Sequence, residues 1–189
     1  MTGTPEFEVE ALERSSGVLR WGGRKIRCAL GRGGVVPQSS KREGDGGTPM
    51  GHWPMRRAFY RPDRLPPPVT GIPLAPISHT LGWGDGPEAE GYNRLVRLPY
   101  PASHEKLWRE DHVYDLIVVL GYNDDPVVPG KGSAIFLHVA KPDFSPTEGC
   151  VAVTREDLID LLTAVKPGAA LVVRQAFPLR EIDSDATRG

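Results

Sequence analysis

The sequence predicts a mainly β fold, with a mixed or antiparallel sheet and one or two short helices. Glycine and proline are plentiful, with 22 and 19 residues, and they follow no repeat. They are therefore expected to end strands and form loops, not to mark disorder. Short runs rich in β-branched residues recur along the chain, and only two segments have features of a helix.

The length of 189 residues suits a single domain, which we assign to residues 1–177. Residues 178–189, "PLREIDSDATRG", have little to bury and are predicted to form a flexible tail. The 23 basic and 24 acidic side chains give a net charge of −1. This balance leaves no broad basic field for a nucleic acid, so nucleic acid is excluded as a partner.

No apolar run reaches the roughly 20 residues that a membrane-spanning helix needs. The N-terminal stretch "MTGTPEFEVEALERSSGVLRW" is too charged for the core of a signal peptide. The sequence as given therefore predicts no membrane span and no visible signal peptide.

The N-terminal part predicts paired strands. Residues 6–12 and 17–30 alternate in polarity, and the pair Gly22-Gly23 divides the second segment at a hairpin-type turn. Cys28 then lies in a strand as a small buried residue. The glycine-rich stretch 41–55 lacks the order of a phosphate-binding loop, so it is predicted to be a turn leading into a strand.

The central part is rich in proline and glycine from residue 61 to residue 91, and we expect this long loop to border a groove. Residues 103–111, "SHEKLWRED", are predicted to form a short helix. Residues 113–123 and 133–140 are rich in buried-strand residues.

The C-terminal part begins with a capping pattern, Thr154 followed by Asp157, before the leucines of "TREDLIDLLTAV". This spacing predicts a helix that stops before Gly168. The apolar run "AALVVR" after it predicts a last strand.

Two residues in this fold carry chemistry, His138 and Cys150. Side chains alternate along a strand, so His138 shares a face with Ala134 and Phe136. The connection 139–149 is long enough to bring Cys150 beside that strand, where an imidazole can take the proton of a thiol. Taken separately, each residue also fits a buried core position.

Their context resembles a known family, the L,D-transpeptidases with a YkuD-type catalytic domain, over about residues 20–175. His138 with "TEGCV" at 147–151 is similar to the family's strand histidine followed by [S/T]-H-G-C and a small apolar residue. "TPMGHW" within 48–53 is similar to its T-P-x-G-x-[FYW] element.

The resemblance implies a role for each matching position. Cys150 corresponds to the acylated nucleophile and His138 to its general base. Gly149 and Cys150 correspond to the backbone oxyanion site, and Thr147 to the residue that supports the turn. We expect such a thiol to alkylate faster than a free thiol near neutral pH.

The resemblance also implies the substrate: a peptidoglycan stem peptide forms a thioester, loses its terminal D-amino acid and passes to an amine of a second stem. It implies no metal or organic cofactor, covalent inhibition by penem-type β-lactams, and a periplasmic or cell-envelope location. A removed leader, unusual export or a cytoplasmic precursor substrate would reconcile that location with the absence of a visible leader.

Three departures from the family pattern affect the assignment of substrate contacts. Glu148 stands where the family usually has histidine, Ala152 where arginine or asparagine is common, and twelve positions separate His138 from Cys150. Glu148 is predicted to orient the acceptor ammonium. Arg94 is the preferred carboxylate partner, ahead of Lys131, Lys141 and Arg155.

Tyr122 and Asn123 end a strand and are predicted to face the peptide groove, although turn chemistry alone also explains Asn123. The leading functional hypothesis is a cysteine-dependent L,D-transpeptidase. An L,D-carboxypeptidase or amidase with the same site, or a non-catalytic peptidoglycan-binding module, remain the alternatives.

Overall fold

The structure is a computed structural model that describes residues 6–176. The predicted flexible tail, 178–189, lies outside the described residues. The strands in chain order are β1 (Phe7–Ala11), β2 (Ser16–Trp21), β3 (Arg24–Ala29), β4 (Val35–Val36), β5 (Thr48–Pro49), β6 (Gly51–Tyr60), β7 (Leu74–Pro76), β8 (Leu81–Gly84), β9 (Leu95–Arg97), β10 (His104–Lys106), β11 (Leu116–Leu120), β12 (Phe136–Val139), β13 (Val151–Val153) and β14 (Ala170–Gln175). The helix α1 spans Arg155–Ala164.

The main sheet has nine strands in the order β11-β12-β13-β3-β2-β1-β14-β6-β7. Strand β11 pairs with both β12 and β6, so the sheet closes on itself. Most pairs are antiparallel, whereas β1 with β14, β6 with β7 and β12 with β13 are parallel. The predicted mainly β fold with a mixed sheet is therefore confirmed.

The β2–β3 hairpin turns at Gly22 and Gly23, whose φ angles are +49° and +83°. Two successive residues with positive φ are what a type I′ hairpin turn requires, and glycine meets that requirement without steric cost. The predicted hairpin and the burial of Cys28 are both observed. Both cysteines of the chain are free thiols.

Helix α1 begins after Thr154, whose hydroxyl accepts a hydrogen bond from the Asp157 N–H at 3.1 Å. This is the predicted cap, which satisfies a backbone donor that the helix itself cannot pair. Leu158, Leu161 and Leu162 are fully buried in the larger hydrophobic core. The described residues contain no helix that is both long and apolar enough to span a membrane.

A second, three-stranded sheet has the order β10-β8-β9. It corrects two expectations, because residues 104–106 form a strand where a short helix was predicted, and the segment 61–91 contains β7 and β8. The pairing of His104–Lys106 with Gly82–Gly84 explains the first correction. After this strand, Leu107 belongs to a smaller hydrophobic core and Trp108 packs against it, so they do not form one face of a helix.

The smaller core joins the two sheets and positions the candidate site. It contains Trp83 and Leu107 from the small sheet and its border, together with Ile117 and Phe136 of the main sheet and Cys150, which immediately precedes β13. The neighbouring residues of β12, Leu137 and Val139, belong to the larger core instead. The alternation predicted for this strand is therefore observed, and His138 and Cys150 lie on the side that faces the small sheet.

Candidate active site

The two predicted catalytic residues come from neighbouring parallel strands. Strands β12 and β13 pair with Leu137 opposite Val151 and His138 opposite Ala152. Neighbouring strands lie about 4.8 Å apart, and Cys150 immediately precedes β13 on the same face as His138. Both side chains line a cavity of 370 Å³. The fold therefore brings the thiol and the imidazole to one cavity.

The cavity is lined by residues of both sheets and of the loops between them. They are Glu43, Gly44, Asp85, Glu105, Arg109, Val113, Tyr114, Ser133, Ala134, His138, Lys141, Ser145, Pro146, Thr147, Glu148, Cys150 and Ala152. Cys150 is only 7% exposed and His138 only 6% exposed. The reactive atoms thus lie at the bottom of a cleft, where charges are poorly solvated.

The Cys150 thiol lies next to the first residues of β12. It donates a hydrogen bond to the carbonyl oxygen of Ala134 at 3.2 Å and accepts one from the Phe136 N–H at 3.3 Å. Burial raises the pKa of Cys150 to about 12, and the negative charge of Glu105 adds to this effect. The resting thiol is therefore protonated, which differs from the predicted fast alkylation near neutral pH.

The His138 imidazole is held in one orientation. Its Nδ1 lies 2.9 Å from the carbonyl oxygen of Val139, which can only accept, so Nδ1 carries the proton. The ring packs edge-on against Tyr114, with 5.5 Å between the ring centroids. Burial lowers the pKa of His138 to about 4. At neutral pH His138 is therefore an uncharged base with its Nε2 lone pair available.

The residues before Cys150 form a tight turn. Thr147 Oγ1 accepts a hydrogen bond from the Gly149 N–H at 3.1 Å and donates one to the Cys150 carbonyl at 2.7 Å. Gly149 has a φ of +131°, and a Cβ there would meet the carbonyl oxygen of Gly47 at 2.9 Å. Glycine is therefore required at this position both for its backbone angle and for space.

The same turn affects the predicted oxyanion site. The Gly149 N–H is occupied by Thr147, as just described. The Cys150 N–H makes no hydrogen bond within residues 6–176. Of the two predicted donors, the Cys150 N–H is thus the one that is free to bind a substrate carbonyl.

The second motif, "TPMGHW", lies against the first. Thr48 Oγ1 accepts a hydrogen bond from the Gly31 N–H at 2.8 Å and donates one to the Cys150 carbonyl at 3.4 Å. Trp53 Nε1 donates to the Pro49 carbonyl at 2.9 Å. The motif therefore supplies a second hydrogen bond to the Cys150 carbonyl oxygen, in addition to that from Thr147.

Glu148 lies at the rim of the cavity and is paired. Its carboxylate accepts a hydrogen bond from Arg32 Nε at 2.8 Å, and its side chain is 74% exposed. Glu148, which stands where the family usually has histidine, thus forms an ion pair with Arg32 in the solvent-exposed part of the site. Its effect in raising the pKa of Cys150 is smaller than that of Glu105.

Three predicted substrate-binding residues lie outside this cavity. Arg94 lines a separate cavity of 440 Å³ together with Arg56 and Arg57. Tyr122 is buried, and its hydroxyl donates to the carbonyl of Lys131.

Asn123 closes the loop that follows β11. Its side-chain amide donates to the carbonyls of Val128 and Gly132, and its side-chain oxygen accepts from the Val128 N–H. These bonds match the turn chemistry that was the alternative explanation. The positions of Arg94, Tyr122 and Asn123 give no support to a role at Cys150.

The sequence did not identify Arg109 as a site residue, and it offered Lys141 only as an alternative to Arg94. Arg109 and Lys141 supply the positive charge of the cavity. Arg109 makes a two-pronged ion pair with Asp111, at 2.9 and 2.6 Å. Lys141 makes no ion pair in the described part of the chain, although it was considered as an alternative to Arg94.

Asn93 is a further missed residue. Its side-chain oxygen accepts hydrogen bonds from the Ala134 N–H and from Trp83 Nε1, both at 3.1 Å. Ala134 has a φ of +52°, which is unfavourable for a residue with a Cβ. Asn93 therefore helps to hold the strained residue whose carbonyl accepts the Cys150 proton. No sequence motif identifies Asn93 or Ala134 as part of the site.

No group of three or more His, Cys, Asp and Glu side chains in residues 6–176 has an arrangement that could hold a metal ion. The chemistry that the site itself offers is that of a thiol, a neutral imidazole and a free backbone donor in one cleft. This set suits nucleophilic attack on a carbonyl group followed by resolution of a thioester.

Two solved structures are similar: an L,D-transpeptidase from Mycobacterium smegmatis, with 15% identity and a TM-score of 0.38 over 90% of this chain and 59% of that one, and L,D-transpeptidase 1 of Mycobacterium tuberculosis, with 12% identity and a TM-score of 0.38 over 89% and 62%. The chain spans about three fifths of the length of each. No curated protein sequence matches it.

The family model matches nearly the whole of the described chain. The model of the L,D-transpeptidase catalytic domain, YkuD, covers residues 4–173, which include both motifs, His138 and Cys150. The chain therefore belongs to the YkuD family of L,D-transpeptidase catalytic domains.

Proposed function

We propose that this protein is a cysteine-dependent L,D-transpeptidase that cross-links or modifies peptidoglycan stem peptides through a thioester on Cys150. The observation that carries the proposal is the shared cavity of Cys150 and His138 on adjacent parallel strands. Such an activity places the protein in the cell envelope, where its substrate lies.

In the first half of the reaction, His138 acts as a general base. The Cys150 side chain turns from the Ala134 carbonyl toward Nε2 of His138, which takes the thiol proton as sulfur attacks the peptide carbonyl. The C–S bond forms, and the negative charge on the carbonyl oxygen is stabilised by the Cys150 N–H. The imidazolium then gives its proton to the departing D-amino acid, and the C–N bond breaks.

General-base catalysis fits the electrostatics of the site better than a preformed thiolate–imidazolium pair. Burial favours the neutral forms of both groups, because it raises the pKa of Cys150 to about 12 and lowers that of His138 to about 4. Proton transfer during attack avoids the cost of holding two charges in a poorly solvated cleft.

The positive residues of the cavity supply the carboxylate contact that Ala152 cannot make. Lys141 and Arg109 line the cavity with Cys150. Of these two residues, Arg109 is paired with Asp111, whereas Lys141 makes no ion pair with any described residue. We assign Lys141 to the donor carboxylate, while Arg109 stays engaged with Asp111.

Product analysis tests the proposal. Incubation with purified muropeptides, followed by mass spectrometry, is expected to yield cross-linked or amine-exchanged stems that the Cys150→Ser variant does not make. Trimmed stems without exchange would indicate the carboxypeptidase alternative. Unaltered muropeptides with retained binding would indicate the non-catalytic module.

A further inference from the structure

Asp85 carries a carboxylate oxygen that lacks a hydrogen-bond partner. Its Oδ1 is fully buried and meets no donor among residues 6–176. Asp85 directly follows β8 and lines the Cys150 cavity. A buried acceptor without a donor costs about 1–3 kcal/mol. Asp85 lines the cavity as a residue, but this oxygen itself is shielded, so a ligand in the cavity can donate to it once the Asp85 carboxylate rotates toward the cavity.

Glu105 is a second carboxylate on the same wall. It lies on β10, whose pairing with β8 places Glu105 opposite Trp83 and His104 opposite Gly84, the residue before Asp85. The Asp85 N–H donates to the Ser103 carbonyl at 3.2 Å, which ties the two strand ends together. Tyr114 donates its hydroxyl proton to Oε2 of Glu105 at 2.7 Å, so Oε1 is left for another donor.

The other carboxylates of the cavity already have partners. Glu43 accepts hydrogen bonds from the hydroxyls of Tyr92, at 2.6 Å, and Ser133, at 2.8 Å. Glu148 is paired with Arg32. Asp85 and Glu105, by contrast, form no ion pair within residues 6–176, and the positive charge that acts on Glu105 is that of Arg109, which is itself paired with Asp111.

We propose that Asp85 and Glu105 form the subsite for the acceptor amine, which they bind in its ammonium form beside the Cys150 thioester. This rests on the proposed transpeptidase function and gives the ammonium role to these residues in place of Glu148. An ammonium group supplies three N–H donors and a positive charge. Both properties match an unpartnered carboxylate oxygen next to a second carboxylate.

The subsite also explains how the acceptor becomes nucleophilic. Glu105 takes one proton from the ammonium, and burial, which raises the pKa of this carboxyl, makes it a stronger base. The lone pair of the amine then forms a C–N bond with the thioester carbonyl, and the C–S bond breaks. The second proton passes from the amide nitrogen through His138 to the departing sulfur.

The test separates acylation from acceptor use. Wild type and the variants Asp85→Asn and Glu105→Gln are acylated with a stem-peptide donor, followed by intact mass spectrometry. The acyl-enzymes are then offered glycinamide, which is cationic at pH 7, or hydroxylamine, which is mainly uncharged. Glu88→Gln is the matched control, because Glu88 is an exposed carboxylate three residues from Asp85 and does not line the cavity.

Transfer is measured on acyl-enzyme that has already formed, so a change in acylation caused by removing the charge of Glu105 from near Cys150 does not enter the comparison. We expect both variants to lose at least about tenfold in glycinamide transfer, since a charge-assisted hydrogen bond is worth about 1.5–3 kcal/mol. Hydroxylamine transfer and the Glu88→Gln variant should be unchanged. Equal loss with both acceptors, or undiminished glycinamide transfer, would overturn the subsite. A loss confined to Glu148→Gln would return the role to Glu148, and a wild type that never acylates would refute the proposed function itself.

Discussion

The thiol of Cys150 donates its hydrogen bond to the carbonyl oxygen of Ala134, 3.2 Å away, while His138 lies on the same face of the neighbouring strand. The proposed nucleophile and its proposed base thus share a cavity, but the resting thiol donates its hydrogen bond to the Ala134 carbonyl and not to the imidazole. A change of the Cys150 side-chain rotamer, which substrate binding can favour, would bring the sulfur to the imidazole.

This resting state predicts slow alkylation of Cys150 at neutral pH. The thiolate is the reactive form, and a pKa near 12 means that its fraction grows about tenfold with each pH unit well past pH 9. The rate with iodoacetamide, measured in a Cys28→Ser background, should therefore rise without a plateau between pH 7 and 10. A plateau beginning near pH 8 would indicate a normal or activated thiol.

The buried imidazole predicts an unusually low acid limb of the pH profile. His138 must be unprotonated to accept the thiol proton, and its pKa is lowered to about 4 by burial. Acylation should therefore stay constant from pH 6.5 down to pH 5 and fall as the pH approaches 4. Circular dichroism at each pH controls for unfolding, and a midpoint near 6.5 in folded protein would contradict the assignment.

Removal of the base should affect acylation more than folding. His138→Ala is expected to slow acylation by about 10²–10⁴-fold, the usual contribution of a general base. His138→Gln leaves a polar side chain that cannot act as a base, so it should be equally slow. If either variant acylates at the wild-type rate while its urea midpoint is unchanged, His138 is not the base.

Thr147 joins the turn to the nucleophile, so its loss should reduce both stability and activity. Thr147→Val removes the acceptor for the Gly149 N–H and the donor to the Cys150 carbonyl. We expect about 1–3 kcal/mol of destabilisation in urea unfolding and slower acylation. Thr147→Ser keeps the hydroxyl and should restore both, whereas failure of serine to rescue would show that the methyl group matters instead.

Lys141 is predicted to bind the donor carboxylate. Lys141→Gln should raise KM for a donor with a free C-terminal carboxylate by about tenfold, the value of a lost charge-assisted contact, with little change for the same donor as its C-terminal amide. Arg94→Gln is the comparison, because Arg94 lines another cavity. A larger effect at Arg94 would restore the sequence-based assignment.

The sequence was most informative where local patterns specify structure. The Gly22-Gly23 turn, the Thr154 cap and the alternation around His138 each depend on residues close together in the chain, and all three are observed. The pairing of β12 with β13 was expected because the connection between them is long enough to allow it, and it is observed.

The sequence was least informative for the small sheet and the charged cavity. Strands of three residues, such as His104–Lys106, are too short to show a periodicity, and their pairing depends on distant residues. Asp85 and Glu105 belong to no motif, and Lys141 was one of several candidate carboxylate partners, so only the packing of the two sheets reveals that the three share a cavity. Arg94, by contrast, was chosen for its charge and its bidentate guanidinium group, neither of which determines where the side chain lies.

The most direct test of the central claim is a search for a covalent adduct on Cys150. The protein is incubated with a penem-type β-lactam or a stem-peptide donor, and the intact mass and the modified peptide are determined. We predict a stoichiometric adduct on Cys150 that is absent from Cys150→Ser and strongly slowed in His138→Ala, with Cys28 unmodified. An unmodified protein, or an adduct that forms at the same rate without His138, would contradict the proposed mechanism.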